Sequence, residues 1–209
     1  MRGTHMMFHK KQAAMSAALA LLLTLPGCIS IGGKPPAQLL SLDAAQKVAP
    51  GTLRSATPGT SITVADPEAP KLLDTVRVPV RTTPTSLAYV TDVQWADTPR
   101  HLFQRLLSET IAATSNRIVL DPGQYSADAG QRLMGDLVDF GLDEASNSAI
   151  VTYDAILAGP GGTAIARQRF TATVPVGTKI TATSIGAPLN SAANKVAADV
   201  AAWLAASGR

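Results

Sequence analysis

The sequence predicts an α+β fold, an antiparallel sheet with two principal helices packed on one face. Three observations predict it. Residues 99–114 and 188–206 carry apolar side chains at helical spacing. Residues 131–142, 149–158 and 164–174 carry them at alternate positions instead. Turn-forming residues separate the alternating segments, so these three read as an antiparallel meander with one face on a core.

In chain order, residues 1–27 read as a leader, 28–36 as a tether rich in Gly and Pro, and 37–209 as one folded domain. Residues 38–42 and 61–64 are strand candidates on either side of a Pro-, Gly-, Ser- and Thr-rich loop. Pro67 and Pro70 leave room for a helical turn or two in 66–73. Residues 73–80 are predicted extended. Pro79 has no N–H to give a ladder, which points to an edge or an irregular position. Residues 86–95 alternate well enough for a strand or hairpin, and 117–120 form a short strand.

Asp97-Thr98-Pro99 is a helix start, with Thr98 or Asp97 as cap and Pro99 at the first helical position. Leu102, Phe103, Leu106, Leu107, Thr110 and Ile111 then make the buried stripe, with Gln104 among the residues on the outer side. Gly159-Pro160-Gly161-Gly162 marks the turn between the last two strands. The closing helix repeats Leu189, Ala193, Val196, Val200 and Trp203 or Leu204, and Lys195 and Asp199 are spaced for a surface pair.

The leader is the most specific targeting signal. Arg2, Lys10 and Lys11 are basic, residues 13–25 are dominated by Ala and Leu, and Leu25-Pro26-Gly27-Cys28 ends the run. A basic start, a short apolar core and a small-residue exit define a secretory signal. The uncharged stretch 12–28 has 17 residues, short of the roughly 20 that a spanning helix needs. Cys28 is the only cysteine of the chain, so no intrachain disulfide is available to it. Leu25-Pro26-Gly27-Cys28 resembles a lipobox, the motif after which the cysteine sulfur becomes a thioether to diacylglycerol. Cys28 is then the lipid attachment site and mature N-terminus, held by acyl chains of the palmitate class.

Removing the leader takes away three basic residues and no acidic ones, which leaves 15 of each sign in the mature part. No clustered Lys and Arg patch remains to neutralise phosphates, so nucleic acid is excluded as a partner class. His101 is the only histidine past the leader, and it has no sequence context of a metal or nucleophile site. No G-x-S-x-G, H-E-x-x-H or phosphate-loop pattern is present. The sequence therefore predicts no enzyme and no cofactor. Asp136 and Asp139 are expected on opposite strand faces because their separation is odd, with Asp154 able to approach one of them. Arg167 and Arg169 share a face and form a candidate contact for an anionic head group or a partner. Tyr89 and Trp95 are further partner-contact candidates. For Trp95 two readings stand, a wedge between helix and sheet or the support of a binding groove.

These residues carry a family resemblance. The lipobox with Cys28, Gln38-Leu39-Leu40, Ile62-Thr63-Val64, Leu73 to Val78 and Trp95-Ala96-Asp97-Thr98-Pro99 together resemble the ABC-type transport auxiliary lipoproteins, the PqiC-like group. The Asp139-Phe140 strand ending and the Ala-rich last helix resemble it too. The chain departs from the family's pattern at Gln38, where an aromatic is usual, and at Asp97-Thr98, where Glu is more common. The resemblance implies a non-enzymatic, lipid-anchored periplasmic component of an ABC/MCE-type transport system, with a phospholipid or another hydrophobic substrate. It implies an MCE-domain protein and an ABC permease complex as partners, while self-assembly stays open. Ile29 after the anchor cysteine points to the periplasmic face of the outer membrane rather than the inner one. An envelope-structural or outer-membrane assembly lipoprotein is the alternative.

Overall fold

The computed structural model describes residues 36–55, 61–121, 123, 130–177 and 179–207. Among these residues, eight strands form one sheet, and two helices cover one of its faces. The strands are β1 (Gln38–Leu40), β2 (Ile62–Val64), β3 (Arg77–Thr83), β4 (Ser86–Trp95), β5 (Val119–Leu120), β6 (Gln131–Asp143), β7 (Ser148–Ala158) and β8 (Ala164–Pro175). The helices are α1 (Pro99–Thr114) and α2 (Gly186–Ser207).

The meander is as its alternation predicts: β6 pairs antiparallel with β7, and β7 with β8. The sheet as a whole is not antiparallel. β3 and β4 form an antiparallel hairpin, but β1–β4, β3–β6, β2–β6 and β2–β5 are parallel. Three of the strands in those parallel pairs have only two or three residues and reach their partners through long connections, so no hairpin turn announces them.

β6 organises the sheet. One edge lies along β7 from Arg132 to Asp143. The other edge is shared, with β2 at its start and β3 at its end. Between them Glu68 fills the gap, donating its N–H to Gly135 O at 2.9 Å and accepting from Leu137 N at 2.8 Å.

Pro79 is not on an edge, because β3 lies between β4 and β6. The position is irregular, as expected, since the β3–β4 register shifts between Arg77 and Pro79. The β6 ladder begins only after it, at Val80. Gly141 makes the room: a Cβ there would stand 2.6 Å from Pro79 O and 2.9 Å from its ring. Pairing without a clash requires glycine at 141.

α1 begins as its sequence dictates, with Thr98 as N-cap in extended backbone and Pro99 in the first turn. Asp97 Oδ1 accepts the Thr98 N–H at 2.6 Å. The predicted stripe is buried. Gln104 is buried with it rather than facing out, because its Nε2 donates to Val64 O at 3.0 Å and ties α1 to β2. α2 buries Leu189, Ala192, Ala193, Val196, Ala197, Val200 and Leu204. Lys195 and Asp199 pair at 3.9 Å, worth no more than a few tenths of a kcal/mol.

The centre of the core is aromatic. Trp95, Phe140, Phe103 and Tyr153 form a chain of edge-on contacts with centroids 5.3, 6.0 and 5.3 Å apart. Each such pair adds about 0.5–1.5 kcal/mol to the burial of its rings. Burial pushes the Tyr153 phenol up, so it stays neutral. Among the described residues, no helix is long and apolar enough to cross a membrane.

Candidate functional site

Both helices lie on the face of the sheet that carries Leu133, Leu137, Tyr153 and Phe170. Among the described residues the opposite face is bare of helices, and its middle carries charge. The reason is a bulge. In β6, Leu137 faces Tyr153 but Asp139 faces Thr152, so Val138 is an extra residue. An extra residue reverses the alternation beyond it. Leu137 and Phe140 therefore both point into the core, and Asp136 and Asp139 both point out, which overturns the expectation that their odd spacing separates them.

Across the strands this face reads as a ladder of ion pairs. Arg81 Nη2 meets Asp139 Oδ1 at 2.6 Å. Asp154 on β7 receives Arg169 on β8 in a two-pronged bond, Nε to Oδ1 at 2.6 Å and Nη2 to Oδ2 at 2.7 Å. Arg167 lies between two carboxylates, 3.5 Å from Asp154 and 3.7 Å from Asp136. Arg167 and Arg169 thus share a face as expected, and Asp154 does approach Asp136 as its register partner. Thr152 and Thr171 continue the row at 3.2 Å.

The electrostatics decide what this row can do. The Arg169 hydrogen bond holds the Asp154 carboxyl below its usual range, against the opposing effect of burial. A carboxylate kept ionised in this way is no proton donor at neutral pH. Arg167 is different. Its side chain is 62% exposed and its guanidinium holds neither carboxylate closer than 3.5 Å, so it retains donors for an outside anion.

The Asp154–Arg169 pair also predicts a pH dependence. A depressed carboxylate contributes stability above its unfolded value, near 3.8, and loses it as pH falls through the folded one. Asp154→Asn is expected to lower the neutral-pH Tm by a few degrees, with the gap to the parent closing below about pH 4. Thermal melts from pH 7 to pH 3 check this. A gap that stays constant contradicts it.

Next to the ladder, toward the β3–β4 turn, lies a cleft of about 280 Å³. Leu72, Pro79, Pro84, Leu87, Val138 and Ile150 supply apolar walls, and the Arg81–Asp139 pair sits in its lining. Leu87 and Val138 are 53% and 37% exposed, large apolar side chains left in solvent. Sequence reading missed Arg81, Gln104 and this cleft. Gly135 and Gly141 inside a strand were the available signal of a bulge or a close backbone approach.

The sequence-predicted residues are not one constellation. Tyr89 stands on β4 with the Arg77 guanidinium 3.8 Å from its ring centroid. Four strand spacings, about 19 Å, separate it from Arg167 and Arg169 on β8. Trp95 is 2% exposed and packs on Phe140, so it takes the wedge reading and offers no side-chain surface. His101 sits between Asp66, at 2.8 Å from Nε2, and Asp97, at 3.5 Å from Nδ1. No cluster of three metal-ligating side chains occurs among the described residues. Cys28, the predicted lipid attachment site, lies outside the described residues.

The fold and this face define a class: a small α+β domain with helices on one side of its sheet and a charged, clefted surface on the other. The chain belongs to the family of ABC-type transport auxiliary lipoprotein components, whose model matches residues 40–201. No curated protein sequence matches it. Among solved structures it is similar to a Xanthomonas campestris protein of the DUF330 family, with TM-score 0.68 and 19% identity over 81% of this chain and 96% of that one. It is also similar to an uncharacterized protein, with TM-score 0.60 and 13% identity over 73% and 96% of the two chains. At those identities the likeness shows the fold alone. The family makes this chain a transport-associated, envelope-type lipoprotein component.

Proposed function

We propose that the chain is a non-enzymatic component of an ABC/MCE-type transport system for lipid or another hydrophobic substrate. It is anchored through the acylated Cys28 at the periplasmic face of the outer membrane. Its partners are an MCE-domain protein and the ABC permease complex, and copies of the chain can assemble with one another. The observation that carries the reading is the division of labour across the sheet. One face holds the core and both helices, whereas the other presents a fixed ladder of charges beside an apolar cleft. A rigid sheet with such a surface suits docking of a partner, because the contact groups are ordered before binding. ATP hydrolysis belongs to other subunits.

Arg167 keeps donors to spare, so it is assigned the partner contact, with Arg169 held beside it by Asp154. Tyr89 with Arg77 forms a second contact patch. A photo-crosslinking residue at Val138, activated in intact envelopes, is expected to capture an MCE-domain protein or the permease. Arg167→Gln in the same chain is expected to lower that capture by about fivefold or more, with little change in Tm. Capture of β-barrel assembly machinery or peptidoglycan instead would favour the envelope-structural alternative and overturn the transport reading.

A further inference from the structure

β8 is the long free edge of the sheet. It pairs with β7 on one side, and among the described residues no strand pairs with the other. The sheet also ends at β1 and β5, of three and two residues, whereas β8 has twelve.

The register shows which backbone groups of β8 face outward. Val176 N–H donates to Asn147 O at 2.9 Å, and back to Ala166 the β7–β8 register runs without a shift. Antiparallel partners alternate between bonded and unbonded, so Gln168, Phe170, Ala172 and Val174 bond to β7. Arg167, Arg169, Thr171 and Thr173 point their N–H and C=O groups away from it. Pro175 falls at the next outward position, where its missing N–H costs no ladder bond. Among the described residues nothing bonds the four outward pairs of groups. Natural edges are blunted by lysine, proline or a bulge. Here Pro175 and the register shift at Ala158 close only the two ends. Between them Arg167 and Arg169 stand over the helix-free face, where Asp154 holds them, and leave the edge itself clear.

The outward residues also complement themselves. In chain order they read Arg, Arg, Thr, Thr. Antiparallel pairing about a two-fold axis at Phe170 sets Arg167 opposite Thr173 of a second copy, and Arg169 opposite Thr171. No like charges then face one another, and about eight main-chain bonds close. The helices fit the same arrangement. α2 lies over both β7 and β8, with Trp203 on Phe170 at 5.7 Å. A helix centred over those strands stands about one strand spacing from the axis, which sets the two α2 helices about 10 Å apart. Helices pack at about 8–10 Å, and Ala206, exposed one turn beyond Trp203, is small enough to allow it.

We propose that β8 pairs antiparallel with β8 of a second copy and joins two domains through one continuous sheet. β1 and β5 are too short to fill this edge, so the strand that matches it is another β8. The inference rests on the self-assembly included in the reading above and assigns it a surface. Strand addition uses only the edge, so the face that carries Arg167 stays open to a different partner.

Sedimentation of the full lipidated protein in detergent is expected to show two copies per particle, and Thr171→Pro single copies. The substitution removes an outward N–H and no bond to β7, so its Tm is expected within a few degrees of the parent. Amide exchange of the parent supplies a readout that needs no variant. On concentration the Arg169 and Thr171 amides are expected to slow about tenfold or more, while Phe170 and Ala172 stay slow throughout. An assembly that survives Thr171→Pro, or one in which the Arg169 and Thr171 amides exchange fast, overturns the edge pairing and leaves self-assembly standing. Single copies at every concentration overturn both. Slow Arg169 and Thr171 amides in the single copy would mean that the chain covers its own edge, which also overturns the pairing.

Discussion

Cys28→Ala is expected to abolish incorporation of labelled fatty acid and to remove the protein from the outer-membrane fraction. The size of the effect follows from hydrocarbon burial. Each CH₂ buried in a bilayer contributes about 0.8 kcal/mol, a single myristoyl-length chain gives only marginal reversible binding, and a second chain makes attachment stable. In the proposed anchor the glycerol-linked pair and the amide-linked chain all depend on the same residue. Losing its sulfur therefore loses the whole anchor rather than a fraction of it. No helix among the described residues is long and apolar enough to cross a membrane. Envelope fractionation with an acyl label reads the result directly. Retained acyl label on the variant would contradict the assignment of the anchor to this residue.

The second large effect is expected inside the fold. Gly135→Ala is expected to destabilise the domain by about 3 kcal/mol or more and to disturb the charge ladder with it. Gly135 has φ +155°, a region that other residues rarely enter, and a Cβ placed there would stand 1.9 Å from Asp154 O, a main-chain atom with nowhere to go. Its own carbonyl accepts the Glu68 N–H that fills the gap between β2 and β3. Pushing β6 from β7 at this point moves Asp136 on one side and Asp154 on the other, the two carboxylates between which Arg167 lies. Denaturant unfolding of the variant checks the stability. A midpoint within error of the parent would mean that the two strands are not held this closely.

Much of the architecture was legible because it depends on local pattern. The two helices declare themselves through apolar spacing, Thr98-Pro99 marks the first start, and the three long strands follow alternation to within a residue or two. What was not legible depends on residues far apart in the chain. The parallel pairs of β1, β2 and β5 involve only two or three residues each, and no turn chemistry signals them. Pro79 forbids a ladder bond at one residue, but that restricts one residue rather than the strand, and Gly141 removes the remaining obstacle. Gln104 looks like a surface residue until Val64 O is seen to need a donor.

The candidate site shows the same division. Arg167 and Arg169 could be placed together by counting in twos, whereas the Asp154 carboxylate that binds Arg169 depends on the register across the β7–β8 turn. The same counting failed for Asp136 and Asp139, because one unpaired residue, Val138, reverses every position after it. Arg81 had no sequence signal at all: it reaches Asp139 from a strand 58 residues earlier in the chain. Trp95 was readable as bulky and apolar near a strand end, and only the packing against Phe140 shows which way it faces.

The most direct measurement is the intact mass and N-terminal peptide of the protein purified from envelopes with detergent. A chain that begins at Cys28 and carries the added mass of a diacylglycerol thioether with an amide-linked acyl group is expected. A mature chain that starts elsewhere, or a Cys28 thiol that still reacts with an alkylating reagent, would contradict it.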